Sequence, residues 1–277
     1  MKKTFFSFGP DSFTAVINRI VSLVTPEKIF LISVIQRAEK SENIFLQTTT
    51  PTFAIESLGL LVLAAETDKR LNDELQDTIE HAAAGSIAIT ALVLPVHQFN
   101  GWLMKDHVFA SQVYHEANLL YDAGIVPLAI PNEYSANLKA ARDILDTHQA
   151  RAVEFISGAE LFIIRKQYAL ATFHLHQAAE QIYSGTIWSA TGLRVHTHNL
   201  DKLYRYNRHF VPATQAVFPR DSGPEKQLFH YLQKAYVDGR YNSNFTIKYQ
   251  TISLLLERVQ KLLALCKKNP CLPTRLT

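Results

Sequence analysis

The N-terminal half of the chain alternates short apolar runs with helical patterns. Four runs rich in Ile, Leu and Val are too short for buried helices, so we expect them to be strands of one sheet. These runs are KIFLISVIQ (28–36), NIFLQTT (43–49), LGLLVLA (58–64) and IAITALVLPV (87–96). The charged segment 66–84 spaces its apolar residues Leu71, Leu75 and Ile79 four apart, which predicts an amphipathic helix. A further helix is expected over residues 12–24, so this half is predicted to be α/β.

The C-terminal half has helical periodicity throughout. Five segments show it: 136–168, 169–190, 199–207, 224–236 and 245–267. The last segment carries an apolar stripe at spacings of three, four and seven, formed by Ile252, Leu255, Leu256, Val259, Leu262, Leu263 and Cys266. Pro127 and Pro131 separate the two patterns. We therefore predict an α+β protein with an α/β domain at 1–133 and a helical bundle at 134–277.

Charge is segregated between the two halves. Residues 1–133 carry 9 Lys and Arg against 15 Asp and Glu, a net charge of −6, whereas residues 134–277 carry 19 against 10, a net charge of +9. Two explanations stay open at this point. The halves attract each other or a dimer mate, or the basic half meets phosphates.

Nothing in the sequence indicates export or membrane insertion. Gly9, Pro10 and Asp11 interrupt the apolar run that a secretory signal needs, and no window approaches 18 uncharged apolar residues. The two cysteines, Cys266 and Cys271, lie together near the C-terminus, where we expect a core-facing thiol and a tail thiol. These features predict a cytoplasmic protein that does not bind membranes.

Three segments of the basic half carry a family resemblance. They are YALATFHLHQAAEQIY (168–183), TGLRVHTHNLDKL (191–203) and FHYLQKAYVDGRYNSNF (229–245), followed by the helix LLLERVQKLL. These helical segments and their order along the chain resemble the HEPN domain, the higher-eukaryote and prokaryote nucleotide-binding domain. The resemblance implies an up-and-down helical bundle, pairing into dimers, and nucleotide binding or RNA cleavage. We therefore expect a homodimer through this bundle.

A polar stripe lies beside the apolar face of the second helix in this half. It contains His174, Gln177, Gln181 and Ser184, at spacings that keep them on neighbouring positions of the helix surface. Uncharged donors and acceptors suit a partly buried groove or dimer seam better than a solvated face. We include His174, Gln177 and Gln181 among the candidate ligand-binding residues, and a plain surface remains the alternative.

The stretch GLRVHTHNLDKLYRYNRH contains a helix end and a helix start. Gly192 ends one helix, and Thr197, His198 or Asn199 begins the next by accepting its first free N–H groups. Most of the motif needs no further function. The density of His and Arg leaves phosphate binding by Arg194 and His198 as a second interpretation. A zinc site is not expected, because no Cys or carboxylate cluster completes the pair of histidines.

The late helix lacks the signature of the HEPN nucleases. Those enzymes carry an Arg and a His separated by four to six residues; the His can perform acid–base work on a 2′-hydroxyl, and the Arg can stabilise phosphate charge. Here the matching place has Asp238, Arg240 and Tyr241 with no His after them, and Arg142 and His148 have the spacing only at the start of the first helix. The three late residues either bind a base and a phosphate or include a structural Asp–Arg pair.

The order of segments along the N-terminal half is similar to that of the minimal DNA-polymerase-β-like nucleotidyltransferases. The resemblance rests on TPEKIFLIS (25–33), SLGLLVLA (57–64) and the segment 91–124. In that family an Asp-x-Asp pair and a later carboxylate hold two Mg²⁺ ions. The corresponding place here has Ser57-Leu58-Gly59-Leu60, and the strand 87–96 has no Asp or Glu. Glu56, Glu66 and Asp68 only flank the strand, so we expect the domain to be degenerate.

These observations predict a non-catalytic nucleotide- or RNA-binding protein. A nucleotide such as ATP or GTP is the only cofactor that they suggest, and no metal is expected. Two alternatives remain. One is an RNase or nucleotidyltransferase of the toxin–antitoxin type with an unrecognised active site, and the other is an oligomeric scaffold without a ligand.

Overall fold

The computed structural model describes residues 13–39, 52–82, 87–131 and 138–268. Contacts divide the chain into two compact units, residues 1–136 and 137–277, and each unit is described by itself. The boundary expected near residue 133 and the strand expected at 43–49 both lie outside the described residues.

The first unit is a mixed sheet with helices. Its strands are β1 (Pro26–Glu39), β2 (Thr52–Ala64), β3 (Ala88–Pro95) and β4 (Asn118–Asp122). Its helices are α1 (Thr14–Leu23), α2 (Asn72–Ala82), α3 (Val96–Met104) and α4 (Val108–Glu116). The strand order is β3-β2-β1-β4; β1 runs antiparallel to β2 and β4, and β2 runs parallel to β3. The runs at 28–36, 58–64 and 87–96 are therefore strands of one sheet, as predicted.

Helix α2 makes the parallel pair possible. Parallel neighbours need a crossover connection, and α2 lies between β2 and β3 in the chain. Its buried residues Leu75 and Ile79 pack into the core that the sheet forms with α1. Leu71, which the sequence placed on the same helical face, precedes the helix and is 69% exposed. The predicted helix therefore begins later, at Asn72. This mixed α/β architecture is consistent with a nucleotidyltransferase-like domain.

The second unit is helical. It consists of α5 (Lys139–Ile164), α6 (Tyr168–Thr191), α7 (Leu200–Phe210), a short 3₁₀ helix (Pro212–Ala216), α8 (Gly223–Tyr241) and α9 (Tyr249–Lys268). All five predicted helices are present. α6 is the central helix, since it contacts α5, α7, α8 and α9. Its small residues Ala171, Ala178 and Ala179 are fully buried and allow those neighbours to approach.

The turn between α6 and α7 has the predicted signals. Gly192 adopts the left-handed conformation, with φ of 75°, directly after α6. The side chain of Asn199 accepts hydrogen bonds from the backbone N–H groups of Asp201 and Lys202, and α7 begins at the next residue. Among the described helices, none is long and apolar enough to span a membrane.

Candidate functional site

A cleft of about 420 Å³ lies between α5, α6 and the segment that connects α6 to α7. Pockets for small ligands enclose roughly 300–1,000 Å³, so the cleft has a suitable size. Its lining combines cationic, imidazole and hydroxyl groups with one carboxylate. The lining residues are His148, Arg151, Glu180, Gln181, Ser184, Trp188, Arg194, Val195, His196, Thr197 and His198.

Helical spacing aligns the side chains of two walls. His148 and Arg151 are three residues apart on α5 and therefore share a face. On α6, Gln181, Ser184 and Trp188 follow one another at intervals of three and four residues, which aligns them in the same way. The two helices therefore each present a row of side chains to the cleft.

The connecting segment forms the third wall. After the left-handed turn at Gly192 the chain returns along α6, and the guanidinium carbon of Arg194 lies 3.7 Å from the ring centre of Trp188. A guanidinium stacked on an aromatic face is held by cation–π attraction. Its N–H groups remain in its own plane, where they can donate to an anion. Arg194 and the nearby His196 are both exposed to solvent.

Glu180 fixes the far end of this segment. Nδ1 of His198 lies 3.1 Å from both carboxylate oxygens of Glu180, and Nε2 of the buried His176 lies 3.5 Å from one of them. Burial raises the pKa of Glu180, but the hydrogen bond with His198 and the nearby imidazole of His176 outweigh it, so the pKa lies below its usual value. The imidazole of His198 also stacks on Tyr236, with 4.5 Å between ring centres. His198 is therefore held on two sides.

His148 lines the cleft from α5 and has 9% of its surface exposed. It packs against Gly185, where an added Cβ would collide with its side chain, and its ring meets Trp188 edge-on at 5.6 Å. Burial lowers the pKa of His148, and the positive charges of Arg151 and Arg194 lower it further. Hydrogen bonding with Gln181 raises the pKa but does not outweigh the burial. His148 is therefore a neutral imidazole near pH 7.

Three of the eight predicted site residues, Gln181, Arg194 and His198, line this cleft together. Gln177 lies just outside it, with Nε2 at 3.4 Å from Glu180. His174 is turned towards α5, where its ring lies among Phe155, Phe162 and Phe173. The structure therefore does not bring His174 to the cleft, because its position on α6 faces an aromatic cluster.

Asp238, Arg240 and Tyr241 lie at the end of α8, outside the cleft lining. The Nε atom of Arg240 donates to the backbone oxygen of Tyr236 at 2.6 Å, and its guanidinium lies over the rings of Tyr236 and Tyr241. Within the described residues Asp238 and Arg240 form no ion pair, since positions two apart on a helix point in different directions. Tyr236 connects this group to the cleft through its stack on His198.

The sequence-based choice missed several lining residues. Ser184 and Trp188 continue the stripe of Gln181, so their helical spacing was an available signal. His148 and Arg151 lie on another helix, and no spacing in the sequence relates them to α6. Arg142, which has the nuclease spacing to His148, is exposed in the first turn of α5, and six residues along a helix turn it to a different face.

In the first unit, aliphatic side chains occupy the part of β2 to which the sequence resemblance assigns the Asp-x-Asp pair. Leu58 and Leu60 are fully buried in β2. Asp68 forms an ion pair with Arg70 at 2.5 Å, and this hydrogen bond lowers the pKa of Asp68 to about 2. Across the described parts of the chain, no cluster of three or more His, Cys, Asp and Glu side chains is arranged to hold a metal ion.

Comparison with known proteins supports the resemblance of the helical unit. Residues 145–269 match the family model of the HEPN domain, a match that spans less than half of the 277 residues. Comparison with curated proteins gave no match. The match begins within α5 and continues through α9, so it includes all the residues that line the cleft, and the helical unit is similar to the HEPN domain over this range.

Proposed function

We propose that the cleft of the helical unit binds the phosphate of a nucleotide or RNA, and that the protein acts by binding and not by catalysis. The observation that carries this proposal is the composition of the cleft. Arg151 and Arg194 line it together with three histidines, and its single carboxylate, Glu180, already accepts from His198. An anion entering the cleft therefore meets positive charge.

The arrangement of these groups suits a phosphate. A planar guanidinium offers paired N–H donors that match two phosphate oxygens. Arg194 is preorganised for this because it is stacked on Trp188, and less conformational freedom is lost on binding. The HEPN match supports a nucleotide- or RNA-related function at the level of the family.

Two features favour binding without catalysis. The first unit has buried leucines at the place where the transferases need carboxylates for two metal ions. In the second unit, the late-helix Arg240 is not followed by the His of the nuclease pair. We therefore expect neither nucleotidyl transfer nor cleavage by the family's usual pair of residues.

Equilibrium binding of ATP, GTP and short RNA to the full chain tests the proposal. We expect binding that weakens between low and moderate salt, because phosphate contacts release counterions. Arg194→Gln and Arg151→Gln should each weaken it about tenfold or more, as the loss of a charge-assisted hydrogen bond does. Arg165→Gln is the charge-matched control, since Arg165 is exposed at the end of α5 outside the cleft. Absence of binding at either salt concentration would eliminate the function.

A second candidate, RNA cleavage, is favoured by one observation. A histidine oriented by a carboxylate, as His198 is by Glu180, is an arrangement that supports acid–base chemistry. Incubation of labelled RNA with the protein, with and without Mg²⁺, separates the two candidates. Cleavage that His198→Ala abolishes would establish the enzyme, and intact RNA under both conditions would leave the binding function alone.

We also propose that the chain forms a homodimer through its helical unit, as HEPN domains often do. Sedimentation equilibrium across a range of protein concentrations tests this proposal. A mass of one chain at all concentrations would overturn it, and salt-sensitive dimers without any ligand effect would favour a scaffold.

A further inference from the structure

We propose that the helical unit binds single-stranded nucleic acid over a length of about four nucleotides. This inference rests on the proposed phosphate-binding function and names the substrate class of the same site. The surface that carries it, which we call the stacking track, is formed by three exposed planar side chains: the guanidinium of Arg194, the imidazole of His198 and the ring of Tyr241.

Arg194 and His198, the two planes at the cleft, are each covered on one face by an aromatic ring. The guanidinium carbon of Arg194 lies 3.7 Å from the ring centre of Trp188. The imidazole of His198 stacks on Tyr236 at 4.5 Å, with 15° between the two rings. Both Arg194 and His198 are exposed, so the opposite face of each plane is open to solvent. A base can therefore stack there, as bases do on aromatic rings and guanidinium planes.

The third plane, Tyr241, lies at the end of α8 and is 75% exposed. Its ring centre lies 4.8 Å from the guanidinium carbon of Arg240. The same guanidinium carbon lies 4.4 Å from the ring centre of Tyr236, on which His198 stacks. These contacts connect Tyr241 to the cleft through one continuous series of planar groups.

Contacts with α6 set the length of the stacking track. The three planes, or the groups behind them, contact this helix at successive positions: Arg194 at Trp188, His198 at Glu180 and Arg240 at Phe173. Phe173 and Trp188 are fifteen residues apart, which corresponds to about 22 Å along the helix axis. This length exceeds that of one nucleotide and suits about four, the smallest footprint usual for single-strand sites.

Positive charge accompanies the stacking track from one end to the other. Arg194 lies at the cleft end, and Arg240 lies beside Tyr241 at the other end. The Nε atom of Arg240 donates to the backbone oxygen of Tyr236 at 2.6 Å, which fixes the guanidinium and leaves its Nη groups to meet a phosphate. Exposed planes combined with cations are the features by which proteins bind single strands, since bases stack on the planes and phosphates meet the cations.

The open planes favour a single strand over a duplex. In a duplex the faces of the bases are covered by their neighbours in the helix, so only the phosphates could reach the stacking track. In a single strand the bases can be splayed out and stacked on side chains. Every base has an aromatic face, so the sequence of the strand should matter little.

Competition binding against a labelled oligo(U) tests the inference on the full-length protein. The competitors are UMP, oligo(U) from two to about eight nucleotides, and an annealed RNA duplex of about eight base pairs. We expect the affinity to rise at least about tenfold between UMP and the tetranucleotide and then to level off, with the duplex weaker than the single strand. Oligo(dT) of the same lengths identifies whether the strand that binds better is RNA or DNA.

Two substitutions of Tyr241 assign the gain in affinity to stacking. Tyr241→Leu keeps an apolar side chain without an aromatic face, so the ratio of tetranucleotide to UMP affinity should fall about tenfold, the effect of one lost base–aromatic stack. Tyr241→Phe keeps the ring and should retain the ratio of the wild type. Because the side chain is exposed, both variants should fold, and circular dichroism checks this.

The salt dependence of oligo(U) binding tests the cationic end of the stacking track. Arg240→Gln should reduce the slope of log affinity against log salt by about 0.7, the contribution of one phosphate contact in a single strand. Lys226→Gln is the matched control, because Lys226 is exposed in the first turn of α8, about 21 Å along the helix axis from Arg240. It should retain the wild-type slope.

The outcomes separate this inference from the function on which it rests. Equal affinity for UMP and the tetranucleotide overturns the stacking track and leaves phosphate binding intact, and so does a duplex that binds as tightly as the single strand. A folded Tyr241→Leu variant with wild-type affinity for the tetranucleotide also overturns it. Should the wild-type protein bind neither a nucleotide nor any oligonucleotide, the binding function fails, and the inference fails with it.

Discussion

Nδ1 of His198 lies 3.1 Å from both carboxylate oxygens of Glu180, so a loop imidazole is tied to the central helix of the bundle. Glu180→Gln keeps the size of this side chain and removes its charge. We expect the free energy of unfolding at pH 7 to fall by about 1–3 kcal/mol, because hydrogen bonds to a charged group contribute more than neutral ones. Urea denaturation followed by circular dichroism measures the change.

A matched control separates this contact from an ordinary surface pair. Glu257 on α9 forms an i,i+4 ion pair with Lys261, and both side chains are more than half exposed. Exposed pairs contribute little, so Glu257→Gln should change the free energy of unfolding much less than Glu180→Gln does. Equal losses in the two variants would contradict a special role for Glu180.

The same contact predicts a dependence of stability on pH. Burial favours the protonated form of Glu180, but the hydrogen bond with His198 and the nearby imidazole of His176 prevail and lower its pKa below the ordinary 4.5. A carboxylate with a lowered pKa in the folded state stabilises the protein above the unfolded value, and this stabilisation is lost as the pH falls towards the folded pKa. The difference in unfolding free energy between wild type and Glu180→Gln should therefore shrink from pH 7 to about pH 3.5. A difference that stays constant or grows would contradict the lowered pKa.

The helical unit was predictable because apolar residues recur along the chain at the positions that each helix buries. On α9, Leu255, Val259 and Leu262 recur at helical spacing and are fully buried. The turn at Gly192 and the cap at Asn199 are local signals as well, since each acts within a few residues. β4 was missed because its five residues, NLLYD, are half-buried or exposed and form no continuous apolar run.

The cleft was only partly predictable because it depends on contacts between distant positions. His148, Trp188 and His198 come from three segments that tertiary packing alone brings together. His174 belongs to the same polar stripe as Gln181, yet its ring packs among phenylalanines, one of which, Phe162, lies 5.0 Å away. Polarity identified the stripe, and only the packing of α5 decided which of its members face the cleft.

Helices α6 and α8 pack tightly at Gly239, which predicts a strong effect of a single methyl group. A Cβ at this position would lie 2.9 Å from the backbone oxygen of Ala169 and 3.2 Å from Cβ of Phe173. A backbone carbonyl cannot move as a flexible side chain does, so Gly239→Ala should destabilise the unit by about 1–3 kcal/mol. Thermal denaturation of the variant measures this loss.

Gly223, in the first turn of the same helix, provides the control for that substitution. An added Cβ there meets nothing within 4 Å. Gly223→Ala should therefore be neutral or slightly stabilising, by up to about 1 kcal/mol, because alanine restricts the unfolded chain. Loss of stability in both variants would indicate a general intolerance of alanine in α8 and would refute the packing argument.

The first unit should not transfer nucleotides. The position of the expected Asp-x-Asp pair contains the buried Leu58 and Leu60, and the nearby Asp68 is engaged by Arg70. Hard divalent ions need several oxygen ligands. Incubation with α-labelled NTPs and RNA in Mg²⁺ or Mn²⁺ should leave the RNA unlabelled. Label transfer that Asp68→Asn abolishes would show that another arrangement of carboxylates holds the ions.

Cys266 should react slowly in the native protein. The thiol is 1% exposed on the core side of α9, and burial raises its pKa to about 11. At pH 8 this lowers the reactive thiolate fraction about 100-fold relative to an ordinary pKa of 9.0. In the Cys271→Ser background Cys266 is the remaining thiol, so its reaction with Ellman's reagent can be followed alone.

We expect that reaction to be slow in buffer and fast in urea, with the cysteine-free double variant as the blank. Because the folded pKa is raised, the unfolded chain ionises first as the pH increases, and stability should fall between about pH 9 and pH 11. Cys266→Ala removes this alkaline dependence, although it also leaves a small cavity and lowers stability at every pH. Rapid reaction of the native thiol at pH 8 would mean that α9 opens readily. The apolar stripe of α9 would then not be packed as stably as its burial indicates.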